Sequence, residues 1–250
     1  MSDASDARPS STVILAREGQ REPEYLLVRR VTQAAFGGAH VFPGGVVEPG
    51  ADRAAGTPSS LAPSLADRRL STPDALRFYS AAIRELFEET GILLGDGDVT
   101  ARAVLRQELL ADSARWPDLL RRNNIRPAYD RLCYISEWIT PPDLPTRFAT
   151  RFFVTAFDNR QEATPCGEEL TDCCWMTAAA ALDAGDRQSI LLHPPTRLTL
   201  EQLARHATIE SLIDWARGLE SSGAPSIAAA KATLASVRQM LSGDTAEAVP

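Results

Sequence analysis

The sequence predicts an α/β fold, with one mixed-sheet domain over residues 11–197 and a helical C-terminal extension over residues 198–243. Three observations carry that expectation. Short β-branched and apolar runs alternate with stretches of helical period along most of the chain. Residues 51–72 show no convincing period and read as an insertion. The chain beyond Leu198 keeps a helical pattern to about Gly243 without a strand signal. With 250 residues, 44% hydrophobic and 24% charged, the chain is long enough for one large domain with an added lobe.

Residues 1–10 are polar and read as a flexible N-terminus. "STVILA" (11–16) and "EYLLVRR" (24–30) are strands on either side of the turn-like "REGQREP". "FGGAHVFPGGVVEPG" places five glycines in fifteen residues, a loop that bends sharply or approaches something closely. From Ala51 to Leu70 the Ala, Ser and Pro content suggests a partly ordered loop. A helix then begins at "STPD", where Ser71 or Thr72 can cap and Pro73 suits the first position, and it runs to Thr90 with Gly91 as its stop. Residues 101–122 read as two short helices broken near Trp116-Pro117. "RLCYISEWIT", "RFFVTAF" and "LTDCCWM" are strands, the last entering a helix at "TAAAALDAG". The tail holds "LTLEQLARHATIESLIDWARGLE" and "APSIAAAKATLASVRQMLSG", both helical in pattern.

The helix ending at Gly91 poses a chemical question. Tyr79, Ile83, Leu86, Phe87 and Thr90 form one apolar stripe, which leaves Glu85, Glu88 and Glu89 on the other face. A helix C-terminus carries partial negative charge, so acids there are disfavoured, and Glu85 and Glu89 repel each other at i,i+4. Two accounts stand side by side: a solvated polar face with Arg84 paired to Glu88, or a divalent cation bridging the carboxylates. Hard cations such as Mg²⁺ take one or two carboxylates plus phosphate oxygens.

Charge and cysteine content narrow the partners. A net charge of −7 disfavours a nucleic-acid polymer, which requires clustered Lys and Arg. No apolar run approaches the ~20 residues that cross a bilayer, and no signal-peptide pattern opens the chain. The ending "EAVP" lacks a peroxisomal tripeptide. The expectation is a cytoplasmic protein, monomer or homodimer, acting on a small molecule. Cys133, Cys166, Cys173 and Cys174 have no metal-knuckle or disulfide-framework spacing.

"VFPGGVVEPG" ahead of "RELFEETGI" resembles the signature of the Nudix hydrolases, in which glycine and glutamate precede R-E-hydrophobic-x-E-E-x-G-hydrophobic. The second half is complete in Arg84, Glu85, Leu86, Glu88, Glu89, Gly91 and Ile92. The first half is recognisable in Phe42-Pro43-Gly44-Gly45 and Glu48-Pro49-Gly50. Two departures stand out. The halves are separated by the insertion, and the first glutamate of the box falls on Ala51 or Leu76, depending on the half from which it is counted. Asp52 and Glu48 are candidates to replace it, with a turn role as the alternative for Glu48. The split box is similar to that of the mammalian coenzyme A diphosphatases, as are "AFGGAHVFPGG", "WITPPDLPTRFATRFFVTAF", "PCGEELTDCCWMTAAAAL" and "PPTRLTLEQLA".

The resemblance implies a Nudix α/β/α sandwich that hydrolyses a diphosphate bond in a nucleoside diphosphate linked to another moiety. Mg²⁺, or Mn²⁺ in its place, is the implied cofactor. Glu88 and Glu89 are implied as metal ligands together with the backbone carbonyl of Gly44. Glu85 completes the metal site or acts as base, and Arg84 orients the acids. Glu168, with Glu169 in reserve, supplies a further ligand or the base from a distant loop. Arg29, Arg30, Arg147 and Arg151 are candidates for the remaining phosphates, because guanidinium forks match phosphate oxygens. Phe42 and Gly45 complete the expected substrate-binding set. Phe36, His40, Phe148 and Trp175 are stacking candidates, with core or structural roles as the alternative for His40 and Trp175.

Coenzyme A or a derivative is the first-choice substrate, with NADH, FAD and ADP-ribose next. In the element that accompanies coenzyme A cleavage, Arg29 and Gly38 match while the second arginine falls on Ala34. The insertion after Ala51 is a candidate lid, with a merely tolerated surface loop as the alternative. Two other classes stay open: a catalytically weak Nudix-fold nucleotide sensor, motivated by Ala51 and Leu76, and an interaction role for the helical tail.

Overall fold

The computed structural model describes residues 7–31, 37–53, 58–97, 100–141 and 146–222. In chain order the strands and helices are β1 (Arg8–Arg17), β2 (Glu24–Arg30), β3 (His40–Val41), β4 (Gly44–Val46), α1 (Pro63–Leu70), α2 (Leu76–Thr90), β5 (Gly95–Asp96), α3 (Arg102–Ala111), α4 (Trp116–Arg122), β6 (Arg126–Pro127), β7 (Cys133–Ile139), β8 (Phe148–Ala156), β9 (Leu170–Thr177), α5 (Ala178–Asp186), α6 (Pro194–Leu203) and α7 (Ile209–Ser222).

Seven strands make one mixed sheet with the path β3-β2-β1-β8-β7, in which β9 lies along β2 and β4 along the start of β1. β1 and β8 run parallel and the other pairs antiparallel. The strand period of two explains the central run "VILA". Val13 and Leu15 enter a core with α2, whereas Ile14 and Ala16 enter one with α5, α6 and α7. Helices therefore cover both faces, as the α/β expectation requires.

β1 and β2 are paired only at Ala16↔Tyr25 and Arg17↔Glu24. Toward the other end they separate, and the glycine-rich segment fills the gap: β4 pairs with Ser10–Thr12 of β1, and β3 with Val28 and Arg29 of β2. That wedge carries Gly44 and Gly45 onto the acid face of α2.

Several boundaries differ from expectation. β1 begins at Arg8, because residues 8–10 already pair with β8, so only residues 1–6 of the expected flexible N-terminus lie outside the described residues. The insertion contains helix α1, whose Ala66 and Leu70 join Leu61 in the α2-side core. Ser71 ends α1 in the left-handed region (φ 49°) and does not open the next helix. α2 starts at Leu76 without a side-chain cap at its N-cap residue Ala75, whose amide donates to Asp67 Oδ1 at 2.8 Å. The break between α3 and α4 falls at Asp112–Arg115, and Pro117 belongs to the first turn of α4, where a missing N–H costs nothing. The helical extension begins at Pro194, and the part of the tail beyond residue 222 lies outside the described residues.

α6 and α7 pack on the sheet face opposite α2, through Leu200, Leu203, Leu212 and Ala216. Glu220 of α7 reaches around the β7 edge. It accepts a hydrogen bond from the Tyr134 amide at 2.8 Å and pairs with Arg69 of α1 at 3.4 Å. All four cysteines are free thiols. Among the described residues no helix is long and apolar enough to cross a membrane.

Candidate active site

α2 is buried around most of its circumference, including the acid face, so the account of a solvated polar face does not hold. Arg84 is 1% exposed, and the side chains of Glu85 and Glu88 are each 13% exposed. One guanidinium organises the acids. Arg84 Nε and Nη2 donate to the two oxygens of Asp52 at 3.0 and 2.9 Å, and Nη2 also donates to the Val46 carbonyl. Its Nη1 donates to Glu88 Oε2 at 2.8 Å and lies 3.1 Å from Glu85 Oε1. Burial, which would lower the Arg84 pKa, is outweighed by Glu85, Asp52 and Glu88, so Arg84 is held charged.

Of the two candidates to replace the first glutamate of the box, Asp52 is the one bonded to Arg84. Ala51 and Leu76 are both core, 1% and 3% exposed, whereas Asp52 is fully buried against Arg84 and also accepts from the Glu48 amide at 2.8 Å. Glu48 is more than a turn residue: its carboxylate takes a hydrogen bond from Ser113 Oγ at 2.5 Å.

The glycine wedge meets the acids directly. The Gly44 amide donates to Glu89 Oε2 at 2.9 Å. A Cβ at Gly44 would lie 2.3 Å from the Ser11 carbonyl, and one at Gly45 would lie 2.3 Å from the Glu85 carboxyl carbon, so neither position admits a side chain without displacement.

An open cleft of about 550 Å³ lies over this arrangement. Its walls are residues 44–46 and 48, the acid face of α2 with Arg84, residues 109–113, and Arg8, Arg30, Cys166, Glu168 and Glu169. The structure therefore brings together Gly44, Gly45, Arg84, Glu85, Glu88, Glu89, Glu168 and Arg30. Glu169 pairs with Arg30 at 3.7 Å, and its charge acts on both Glu85 and Glu89.

Other expected residues do not reach the cleft. Phe42 is 3% exposed in the core beneath α5–α7. Arg29 is exposed and beside His40 rather than in the cleft, since adjacent strand residues face opposite ways. Arg151 lies 3.7 Å over the Phe78 ring and pairs with Glu137, and Arg147 bonds the Thr140 carbonyl. Trp175 stacks on Phe157 under Arg17, at the far end of the sheet. Phe36 and Ala34 lie outside the described residues. α1 packs in the core and does not line the cleft, whereas residues 109–113 do. The sequence held no signal for Arg8 or Ser113.

Burial drives the carboxylate pKa values upward. Glu85 is pushed to about 7 and Glu88 to about 8, in each case by burial first, with Arg84 opposing and neighbouring acids adding. Glu89 is held well above the ordinary range by burial and by Glu85. Among the described residues no three His, Cys, Asp or Glu side chains close on one point as a metal cage. An ion that shares its shell with water and substrate phosphates does not need such a cage. The donor set fits one: hard oxygens facing an open cleft, more acids than arginines, and Glu88 Oε1 buried without a hydrogen-bond partner.

A pH-dependent stability follows. Glu85 and Glu88 have folded pKa values of about 7 and 8, above the ~4.3 of an unfolded glutamate. The folded state therefore holds more protons than the unfolded state between these values, and stability falls as pH rises through them. Thermal melts in chelator are expected to drop in midpoint from pH 6 to pH 9, and saturating Mg²⁺ should flatten that slope. Parallel slopes with and without Mg²⁺ would contradict a cation site at these acids.

The "NUDT19 Nudix domain" family model matches residues 53–203, more than half of the chain. A putative nudix hydrolase 7 of Caenorhabditis elegans is 26% identical over 208 residues, covering 79% of this chain and 61% of that protein. The acyl-coenzyme A diphosphatase NUDT19 of Gallus gallus is 27% identical over 264 residues, 82% of this chain and 70% of that protein. The chain thus spans between 61% and 70% of the length of these two curated relatives. A crystal structure of a NUDIX hydrolase from Alicyclobacillus acidocaldarius superposes with a TM-score of 0.68 at 26% identity, covering 84% of this chain and 96% of the other. Family model, fold and acid helix agree: the chain belongs to the NUDT19 Nudix domain family.

Proposed function

We propose that the chain is a divalent-metal-dependent diphosphatase acting on a nucleoside diphosphate linked to a second moiety, with coenzyme A or an acyl derivative as first-choice substrate. The observation that carries the reading is the excess of buried carboxylate around Arg84, open to a cleft and incompletely satisfied at Glu88 Oε1. The relatives named acyl-coenzyme A diphosphatase support the substrate class. The position of Asp52 against Arg84 weighs against the weak-sensor alternative, because the box arginine has its buried partner despite Ala51 and Leu76.

In this reading Glu88 and Glu89, with the Gly44 carbonyl, hold Mg²⁺ or Mn²⁺ at the acid face. A bound divalent ion supplies charge neutralisation at the phosphoryl oxygens and favours ionisation of water. Arg84 fixes the direction of Glu88 and Glu85. Arg30 faces the cleft with a buried Nε that has no protein partner, and serves as a phosphate donor. A water oxygen bonds to one phosphorus, the bridging P–O bond breaks and two phosphate monoesters leave. Glu85 or one of Glu168 and Glu169, all lining the cleft, takes the proton. Four free thiols accord with a cytoplasmic setting.

The test is product analysis with Mg²⁺ and, separately, Mn²⁺ on coenzyme A, acyl-coenzyme A, NADH, FAD, ADP-ribose and diadenosine polyphosphates. Cleavage of coenzyme A should release a phosphopantetheine and an adenosine bisphosphate, and chelator should abolish it. Binding without cleavage across the panel would replace the hydrolase with a sensor.

A further inference from the structure

The carbonyls of Glu88 and Glu89 lie in the last turn of α2, where backbone oxygens lack intrahelical donors. Both are met by a single side chain from another helix. Arg106 of α3 donates from Nε to the Glu88 carbonyl at 3.0 Å and from Nη2 to the Glu89 carbonyl at 2.8 Å. The same guanidinium donates from Nη2 to the Thr164 carbonyl at 2.8 Å and from Nη1 to Thr164 Oγ1 at 3.0 Å. The Thr164 amide in turn donates to the Thr90 carbonyl at 2.9 Å. Gly91 leaves room for the arrangement: it turns left-handed at φ 72°, and a Cβ there would lie 3.1 Å from Arg106 Nη1.

We propose that Arg106 is a positioning residue for the Glu88 and Glu89 carboxylates and locks the 164–169 segment, with Glu168 and Glu169, to the same point. The inference rests on the diphosphatase reading above. Holding a residue's own carbonyl fixes its peptide plane, and with it the direction in which its side chain leaves the helix. Without Arg106 the last turn of α2 frays, and the two acids lose their register with the glycine wedge and with the loop acids. A positive charge at this end also opposes the helix dipole, which otherwise disfavours acids there. Lysine can restore the charge but not the planar fork that reaches two carbonyls and a threonine at once.

The experiment compares Arg106→Met, Arg106→Lys and Thr164→Val with wild type by Mn²⁺ titration, read from the electron paramagnetic resonance of free Mn²⁺, alongside kcat and KM. The expected result is about a tenfold or greater loss of Mn²⁺ affinity and a comparable fall in kcat for Arg106→Met, in the range usual for residues supporting metal ligands. KM should change less than twofold. Arg106→Lys should recover only part of the affinity, and Thr164→Val should fall between Lys and wild type. Should Arg106→Met fail to fold, the other two variants carry the comparison. Lower melting temperatures with wild-type Mn²⁺ affinity and kcat would overturn the inference and leave Arg106 a structural cap. Full rescue by lysine would also overturn it, since charge alone would suffice. Failure of wild type itself to bind Mn²⁺ would bring down the diphosphatase reading and this inference together.

Discussion

Glu89→Gln is expected to lower turnover by about a hundredfold or more while leaving the fold intact, and Glu88→Gln to behave alike. Each substitution keeps the shape of the side chain and replaces a carboxyl whose ionised form burial and neighbouring acids disfavour by an amide that never ionises. In chelator the variants should therefore melt at or above the wild-type temperature. The stabilisation that Mg²⁺ gives wild type should shrink in both. That pairing of lost activity with retained or raised metal-free stability separates a ligand from a packing residue. Wild-type rates in either variant would show that the ligand assignment is wrong.

Asp52→Ala carries the largest expected effect on stability. Arg84 is 1% exposed and Asp52 fully buried, joined by two hydrogen bonds of 3.0 and 2.9 Å. Removing one partner of a buried pair leaves an uncompensated charge, a loss of about 3–5 kcal/mol. For a chain of this size that corresponds to a drop of roughly 10 °C in melting temperature. Glu85 and Glu88 remain beside Arg84 in the variant, so activity should fall through misdirection of these acids as well. A change below about 1 kcal/mol in chemical denaturation would mean that Glu85 and Glu88 hold the guanidinium unaided.

What was legible in the sequence is what local pattern determines. β2 spans Glu24–Arg30 as its apolar run indicates, and α2 ends at Gly91 because only the left-handed stop follows the periodic stripe. The acid trio was visible because its spacing on one helix is itself the signal. The features that escaped depend on pairing across distance. Asp52 was a candidate beside Glu48, but its pairing with Arg84 across the insertion has no local signal, and Arg106 reaches α2 from another helix, where an arginine is ordinary. Only one of Arg29 and Arg30 can face the cleft, and the register irregularity between them in the pairing with β9 hides the choice from any counting rule. α1 went unseen because Leu61, Ala66 and Leu70 are too sparse among Pro and Ser to show a period.

The contact of Glu220 with Arg69 and the Tyr134 amide has a consequence for modularity. The helix inside the split box and the helical tail look, in a linear diagram, like two independent appendages on a minimal domain. Around the β7 edge they are one: the carboxylate of the tail closes on the arginine of the insertion. Neither can be exchanged between members of the family without stranding a part-buried charge on the other, so a chimera must carry both or neither.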